Sequence, residues 1–112
     1  MKIVKNRQFK AKVTVNFPSD EGAVESQSFM ALFRALSVPE LAEHHLLDAA
    51  GQDAFLADVL IGCDGLTDDR DGEDVPLIFS PEARTMILTD VFIRRAVIDT
   101  YQAQLVGAKR GN

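Results

Sequence analysis

The first pattern along the chain is a nearly perfect alternation of apolar and polar residues from 9 to 17. Its apolar members are Phe9, Ala11, Val13, Val15 and Phe17. A period of two is typical of a β-strand with one face towards a core. Turn-forming residues occupy positions 18 to 22, and a second extended run covers residues 24 to 36. The pattern therefore predicts an antiparallel β-hairpin.

The second predicted strand carries apolar residues on both faces. Phe29, Ala31 and Phe33 point to one side, whereas Met30 and Leu32 point to the other. Two interpretations fit the second pair: a helix covers it, or it forms a surface for a partner.

A helix is predicted directly after the hairpin. Ser37 is an N-cap, and Glu40 three residues later completes a capping box. Apolar residues then recur at helical spacing, which predicts a helix to about Ala50 with Gly51 as its C-terminal cap.

Three more helices are predicted in the remainder of the chain. Asp53 is expected to cap the second helix, which Gly62 ends, and residues 63 to 75 are expected to form an acidic loop. Ser80 and Asp90 are expected to cap the third and fourth helices. The apolar stripe of the last helix consists of Ile93, Val97, Tyr101 and Leu105, and its predicted end is Gly107, followed by Lys109 and Arg110.

Together these elements predict an α+β fold in which an N-terminal antiparallel β-hairpin packs with about four α-helices. A chain of 112 residues is expected to form a single domain, residues 1 to 112.

Composition narrows the class of protein. Apolar residues make up 46% and charged residues 26% of the chain, as in ordinary globular proteins. No apolar run approaches the roughly 18 residues of a membrane span, and no signal peptide is apparent, so we expect a cytosolic protein without a membrane partner. A net charge of −5 argues against nucleic acid as a partner.

The search for catalytic or metal-binding chemistry finds no positive signal. Cys63 is the only cysteine, which excludes an internal disulfide and a CxxC pair. An EF-hand with Gly72 at its sixth position would need ligands at Thr67 and Ile78, which those residues do not supply. His44 and His45 are adjacent, so on a helix they point about 100 degrees apart. A Cys63–His45 pair lacks any context for an oxyanion site. We predict no enzyme, no metal and no cofactor.

Three strings resemble the tail assembly chaperones of long-tailed bacteriophages and prophages. SFMALFRALS followed by PEL matches the family pattern through Phe29, Ala31, Phe33, Arg34, Leu36 and Ser37. FLADVLIGCDGLTDDRDGEDVPLIFSPEA is similar to the family's middle section, and FIRRAVIDTYQAQLVGAKRGN is similar to its closing helix with a basic tail. The similar pieces cover most of residues 9 to 112. Cys63 stands where family members often have Trp.

The resemblance implies a non-enzymatic protein that binds the helical tape measure protein, helps to recruit tail tube subunits and leaves before the virion is finished. It would therefore act in the cytoplasm of the bacterial host. On this hypothesis the expected contact residues are Met30, Leu32, Phe92, Arg94, Arg95 and Tyr101.

A second hypothesis is a small structural component of the tail or head that remains in the virion. Such a protein would self-associate through the edge of the hairpin, as a homo-oligomer.

Overall fold

The computed structural model describes residues 1 to 106 and has an α+β fold. The elements in chain order are β1 (Gln8–Pro18), β2 (Val24–Arg34), α1 (Val38–Ala42), α2 (Ala49–Val59), β3 (Leu60–Asp64), β4 (Thr67–Arg70), β5 (Glu73–Pro76), α3 (Pro81–Thr89) and α4 (Val91–Leu105). The predicted fold class, an N-terminal hairpin with four helices in one domain, is confirmed. The predicted cap Gly107 and the basic residues Lys109 and Arg110 lie outside the described residues.

The predicted hairpin is present, and β1 and β2 pair in one continuous antiparallel register. Gln8 lies opposite Arg34 at one end and Pro18 lies opposite Val24 at the other. Gly22 has a φ of 83°, which glycine adopts without steric cost, and this lets the chain reverse between the strands. The second strand ends at Arg34, two residues earlier than the pattern predicted.

The sequence pattern missed a third strand. The second helix was expected to continue to Gly62, but α2 ends at Val59, and β3 pairs antiparallel with β2 in the sheet order β1-β2-β3. Leu60 prolongs the apolar stripe of α2 in sequence, although its backbone is already extended. Ile61 is the extra residue of a β-bulge, because Leu60 and Gly62 pair with consecutive residues of β2.

The boundary between the first two helices also differs from the prediction. The capping box at Ser37 is confirmed, but α1 ends at Ala42 after five residues instead of continuing to Ala50. Asp48, not Asp53, caps α2, because its carboxylate accepts a hydrogen bond of 2.7 Å from the Gly51 N–H. Gly51 therefore lies in the first turn of α2 and not at the end of α1.

The acidic segment expected as a loop contains the short hairpin β4-β5. Asp71 (φ 55°) and Gly72 (φ 84°) are the two residues between these strands. Two consecutive positive φ angles are the mark of a type I′ turn, the usual connection of a tight hairpin.

The predicted starts of the last two helices are confirmed. The Ser80 hydroxyl accepts a hydrogen bond of 3.0 Å from the Ala83 N–H. The Asp90 carboxylate accepts hydrogen bonds from the N–H groups of Phe92 (2.8 Å) and Ile93 (3.1 Å). These contacts satisfy backbone donors that the helix itself leaves free.

The core lies on one face of the three-stranded sheet. Helix α2 packs against β2 and β3, α4 packs against β1, and α3 packs against α4. The rings of Phe9 and Tyr101 are 5.7 Å apart and those of Phe17 and Phe92 are 6.0 Å apart, so α4 runs antiparallel to β1. The largest fully buried side chains are Tyr101, Phe33, Phe55, Leu56, Leu60, Val13, Val59 and Val97.

Candidate partner-binding surface

The opposite face of the sheet is open. Side chains at the even-numbered positions of β1 and β2 point to this face, and most of them are exposed. Within residues 1 to 106 no helix covers them, so the interpretation in which a helix buries Met30 and Leu32 is not realised. We call this surface the open face; its three-stranded part consists of Lys10, Leu32, Gly62, Lys12, Met30 and Asp64.

The centre of the open face is apolar and its two sides carry opposite charges. Met30 is 40% exposed, and Leu32 beside it on β2 is half-buried. Lys10 and Lys12 flank them on β1, and Asp64 flanks Met30 on β3. A groove of about 340 Å³ lies here. An apolar strip between charged rims is typical of a surface that binds a partner.

Gly62 keeps the groove open. A Cβ atom at this position would lie 3.3 Å from the Cβ of Leu32, closer than ordinary van der Waals contact. The absence of a side chain at Gly62 therefore lets Leu32 settle against β3 and leaves a depression beside it.

A charged network anchors the end of β2 next to the open face. Arg34 forms an ion pair with Asp58 of α2 and one of 3.0 Å with Glu40 of α1, and His44 Nε2 lies 3.0 Å from the Asp58 carboxylate. The Ser37 N–H, then Arg34, lower the pKa of Glu40 to about 2. Burial alone would raise the pKa of Asp58, but hydrogen bonds from Arg34 and His44 outweigh it and lower the pKa.

Cys63 lies in β3 beside this surface, and its environment does not activate the thiol. Burial, and then the negative charge of Asp64, raise the pKa of Cys63. A raised pKa keeps the sulfur protonated at neutral pH, the opposite of what a nucleophilic cysteine requires.

The outer edge of β1 is also free of a backbone partner among residues 1 to 106. The Ala35 N–H donates to the Arg7 carbonyl at 2.8 Å, and the Ser19 N–H donates to the Ala23 carbonyl at 2.8 Å. Both bonds continue the register of the hairpin, so the odd-numbered residues of β1 bond to β2. The N–H and C=O groups of Lys10, Lys12 and their even-numbered neighbours therefore point outwards.

The six predicted contact residues do not form one surface. Met30 and Leu32 lie on the open face, whereas the predicted residues of α4 are on the helical side of the sheet. Phe92 is 44% exposed and packs edge-on against Phe17. Arg95 is well exposed and pairs with Asp99 one turn later.

Two of those predictions need correction, because the side chains are engaged inside the molecule. Tyr101 is fully buried: its hydroxyl donates to the Arg34 carbonyl and accepts from the Leu36 N–H, both at 3.0 Å. The side chain of Arg94 is only 19% exposed; it pairs with Asp53 and donates to the Leu88 carbonyl. Neither side chain offers a free surface to a partner.

Gly62 and Asp64 belong to the surface but were not predicted as part of it. Their contribution depends on β3, which the helical spacing of α2 concealed. The signal that could have revealed the strand is the short run of Leu60 and Ile61 bounded by glycine, since β-branched and apolar residues next to glycine are typical of a short strand.

Residues 1 to 106 contain no group of three or more His, Cys, Asp or Glu residues placed to hold a metal ion. In the same part of the chain, no helix has the length and apolar content required to cross a membrane. The chain matched no protein family model, no curated protein and no solved structure. The resemblance to tail assembly chaperones therefore rests on the motifs of the sequence alone.

Proposed function

We propose that this protein is a non-enzymatic tail assembly chaperone of a bacteriophage or prophage. It binds the tape measure protein in the cytoplasm of the bacterial host, helps to recruit tail tube subunits and leaves before the virion is complete. The motifs around SFMALFRALS and the closing helix suggest this function. The observation that carries it is the open face, where Met30 and Leu32 form an apolar strip that residues 1 to 106 leave uncovered.

The geometry of the open face suits an amphipathic helix. Met30 and Leu32 on the middle strand can contact the apolar stripe of such a helix. The groove beside Gly62 can accept one side chain of that helix. Lys12 on one side and Asp64 on the other can pair with charges along the flanks of such a helix. A long helical protein offers many segments of this kind.

The net negative charge of the chain helps a protein with an exposed apolar surface to stay in solution. Five acidic residues lie at positions 68 to 74 in and around the β4-β5 hairpin, and the net charge is −5. Like-charged molecules repel one another, which opposes the non-specific aggregation of an unoccupied chaperone.

The first test is coexpression with the tape measure protein encoded in the same gene neighbourhood, followed by size-exclusion chromatography of the soluble fraction. Coelution, with the tape measure protein insoluble when expressed alone, is the expected result. A tape measure protein that stays insoluble in the presence of this chain would contradict the proposal.

A double substitution then assigns the interaction to the open face. Met30→Ser with Leu32→Ser removes the apolar strip and should reduce coelution at least about tenfold, while thermal unfolding stays cooperative because these side chains are outside the core. Leu47→Ser with Met86→Ser changes two exposed apolar residues elsewhere and should leave coelution intact. Loss of the fold in the first variant would show that the pair belongs to the core.

The free edge of β1 favours one alternative, a structural component of the tail or head that remains in the virion. Its outward N–H and C=O groups could pair with the edge of a neighbouring subunit. Lys10 and Lys12 oppose this, since lysine on an edge strand discourages pairing. Purified virions distinguish the two functions, because a structural component copurifies with them and a chaperone does not.

A further inference from the structure

We infer that the open face also docks a second copy of the same chain, with the two sheets packed face to face. The inference starts from the order of side chains across the sheet at two neighbouring levels. The first level reads Lys12, Met30, Asp64 from β1 to β3, and the second reads Lys10, Leu32, Gly62.

The first level is complementary to itself. A two-fold axis parallel to the strands and midway between the two sheets exchanges the β1 and β3 sides and keeps each level in place. Lys12 of one copy then faces Asp64 of the second copy, and symmetry repeats this pair. The two Met30 side chains meet at the axis, so an apolar centre lies between two ion pairs.

The second level is compatible with the same axis because its side chains differ in size. Lys10 of one copy faces Gly62 of the second copy, where no side chain competes for the space. The alkyl stem of the lysine can lie there with its ammonium group in water. The two Leu32 side chains meet beside the Met30 pair and extend the apolar centre.

Charge also disfavours the two-fold axis at right angles to the first one. An axis across the strands, in the plane between the sheets, would place β1 over β1. Lys10 and Lys12 would then face the lysines of the second copy, and like charges across an interface are unfavourable. The charges of the face thus favour the axis parallel to the strands over the axis across them.

The size of the open face sets the strength of the expected dimer. Aligned sheets pack about 10 Å apart. A contact centred on two apolar residues per copy belongs to the small interfaces, below roughly 1,200 Å² in total, which associate weakly and reversibly. This inference does not depend on the chaperone function. Where the dimer and the chaperone function are both correct, the tape measure protein displaces the second copy from Met30 and Leu32.

The test is sedimentation velocity of the whole chain from about 1 μM to about 1 mM, a range that covers weak dissociation constants. We expect a reversible monomer–dimer equilibrium. Lys12→Glu and Asp64→Lys should each raise the Kd at least about tenfold, because each places like charges together at two symmetric positions. The double variant exchanges the charges and should return the Kd to within about threefold of the original.

Lys5→Glu is the matched control, because it changes the net charge by the same amount as Lys12→Glu but lies outside the face. Its Kd should stay within about threefold of the original. Circular dichroism establishes that each variant is folded. A wild-type chain that is monomeric throughout, a Kd insensitive to Asp64→Lys, or a double variant no tighter than the single ones would overturn the inference.

A second measurement compares the salt dependence of Lys12→Glu with that of Lys5→Glu, which carries the same net charge. Raising the NaCl concentration from about 0.05 M to about 0.5 M screens the like charges at the interface, so the ratio of the two Kd values should shrink towards one. A ratio that is the same at both salt concentrations would also overturn the inference.

Discussion

The hydroxyl of Tyr101 joins the last helix to the end of β2. It bonds to a backbone carbonyl at Arg34 and a backbone N–H at Leu36, where the sheet no longer supplies partners. The apolar spacing of α4 correctly predicted that position 101 lies on the inner stripe. Which partner the hydroxyl finds depends on a residue about 65 positions earlier in the chain, and a sequence pattern does not contain that information.

Replacing Tyr101 by Phe removes this link and nothing else from the core. Two partly buried backbone groups lose their partner, so we expect the free energy of unfolding to fall by about 1 to 2 kcal/mol. Urea unfolding followed by circular dichroism measures the change. Thr100→Val, which removes the neighbouring hydroxyl, is the control and should change stability by less than about 0.5 kcal/mol. Equal effects of the two variants would argue against the proposed role of the Tyr101 bonds.

The carboxylate of Glu40 should make stability depend on pH in the acid range. Its pKa in the folded protein is lowered to about 2 from an ordinary 4.5, chiefly by the Ser37 N–H and Arg34. Folding thus favours the ionised form, and the resulting stability is present above pH 4.5 and is lost as the pH falls towards 2.

The comparison of wild type with Glu40→Gln tests this dependence. The glutamine keeps an acceptor for the capping box but carries no charge. The stability advantage of the wild type, measured by urea unfolding, should be largest near neutral pH and should shrink as the pH approaches about 3. An advantage that stays constant over this range would exclude an electrostatic origin.

At the scale of elements, the sequence correctly predicted the starts of three helices, which depend on nearby residues. It did not predict boundaries that depend on which of two neighbouring elements forms. The caps at Ser37, Ser80 and Asp90 act within three residues, so the sequence is sufficient to find them. The chain after Ala42 could either continue α1 or begin a new helix capped by Asp48, and it does the latter. The apolar residues keep helical spacing through this region, so the sequence pattern did not reveal the break. β3 was missed because its pairing with β2 is a tertiary contact.

Gly51 gives a test of the junction between α1 and α2. In an ordinary helix Gly→Ala is stabilising by up to about 1 kcal/mol. Here the added Cβ would overlap the carbonyl oxygen of His45 and lie 2.7 Å from its carbon, so Gly51→Ala should instead cost about 1 to 3 kcal/mol. Thermal unfolding measures the sign.

The neighbouring position provides the control for Gly51→Ala. Ala50 is exposed in the same turn, and Ala50→Gly should cost only about 0.5 to 1 kcal/mol through backbone entropy. A Gly51→Ala variant more stable than the wild type would show that the chain does not approach Gly51 as closely as described.

At the scale of the whole molecule, the packing of helices on one face of the sheet predicts which parts of the chain are most stable. Backbone amides in the middle of β1 and β2 lie under the core, whereas α1 buries no residue and, within residues 1 to 106, β4 and β5 pair only with each other. Hydrogen exchange measured by NMR should therefore be slowest around Val13 and Phe29 and much faster in α1 and at Asp71. Slower exchange in the β4-β5 hairpin than in β1 would contradict this ordering.

The packing of α4 against β1 affects how the chain folds while it is being synthesised. The hairpin can pair as soon as residue 34 has left the ribosome, since its contacts are local. Helix α2 can cover part of β2 earlier, but the inner face of β1, with Val13, stays bare until α4 is synthesised, more than 55 residues after the end of β2. A nascent chain stalled before α4 would expose that face to other chains, so slow translation of the segment between β2 and α4 is expected to cause aggregation of the newborn protein.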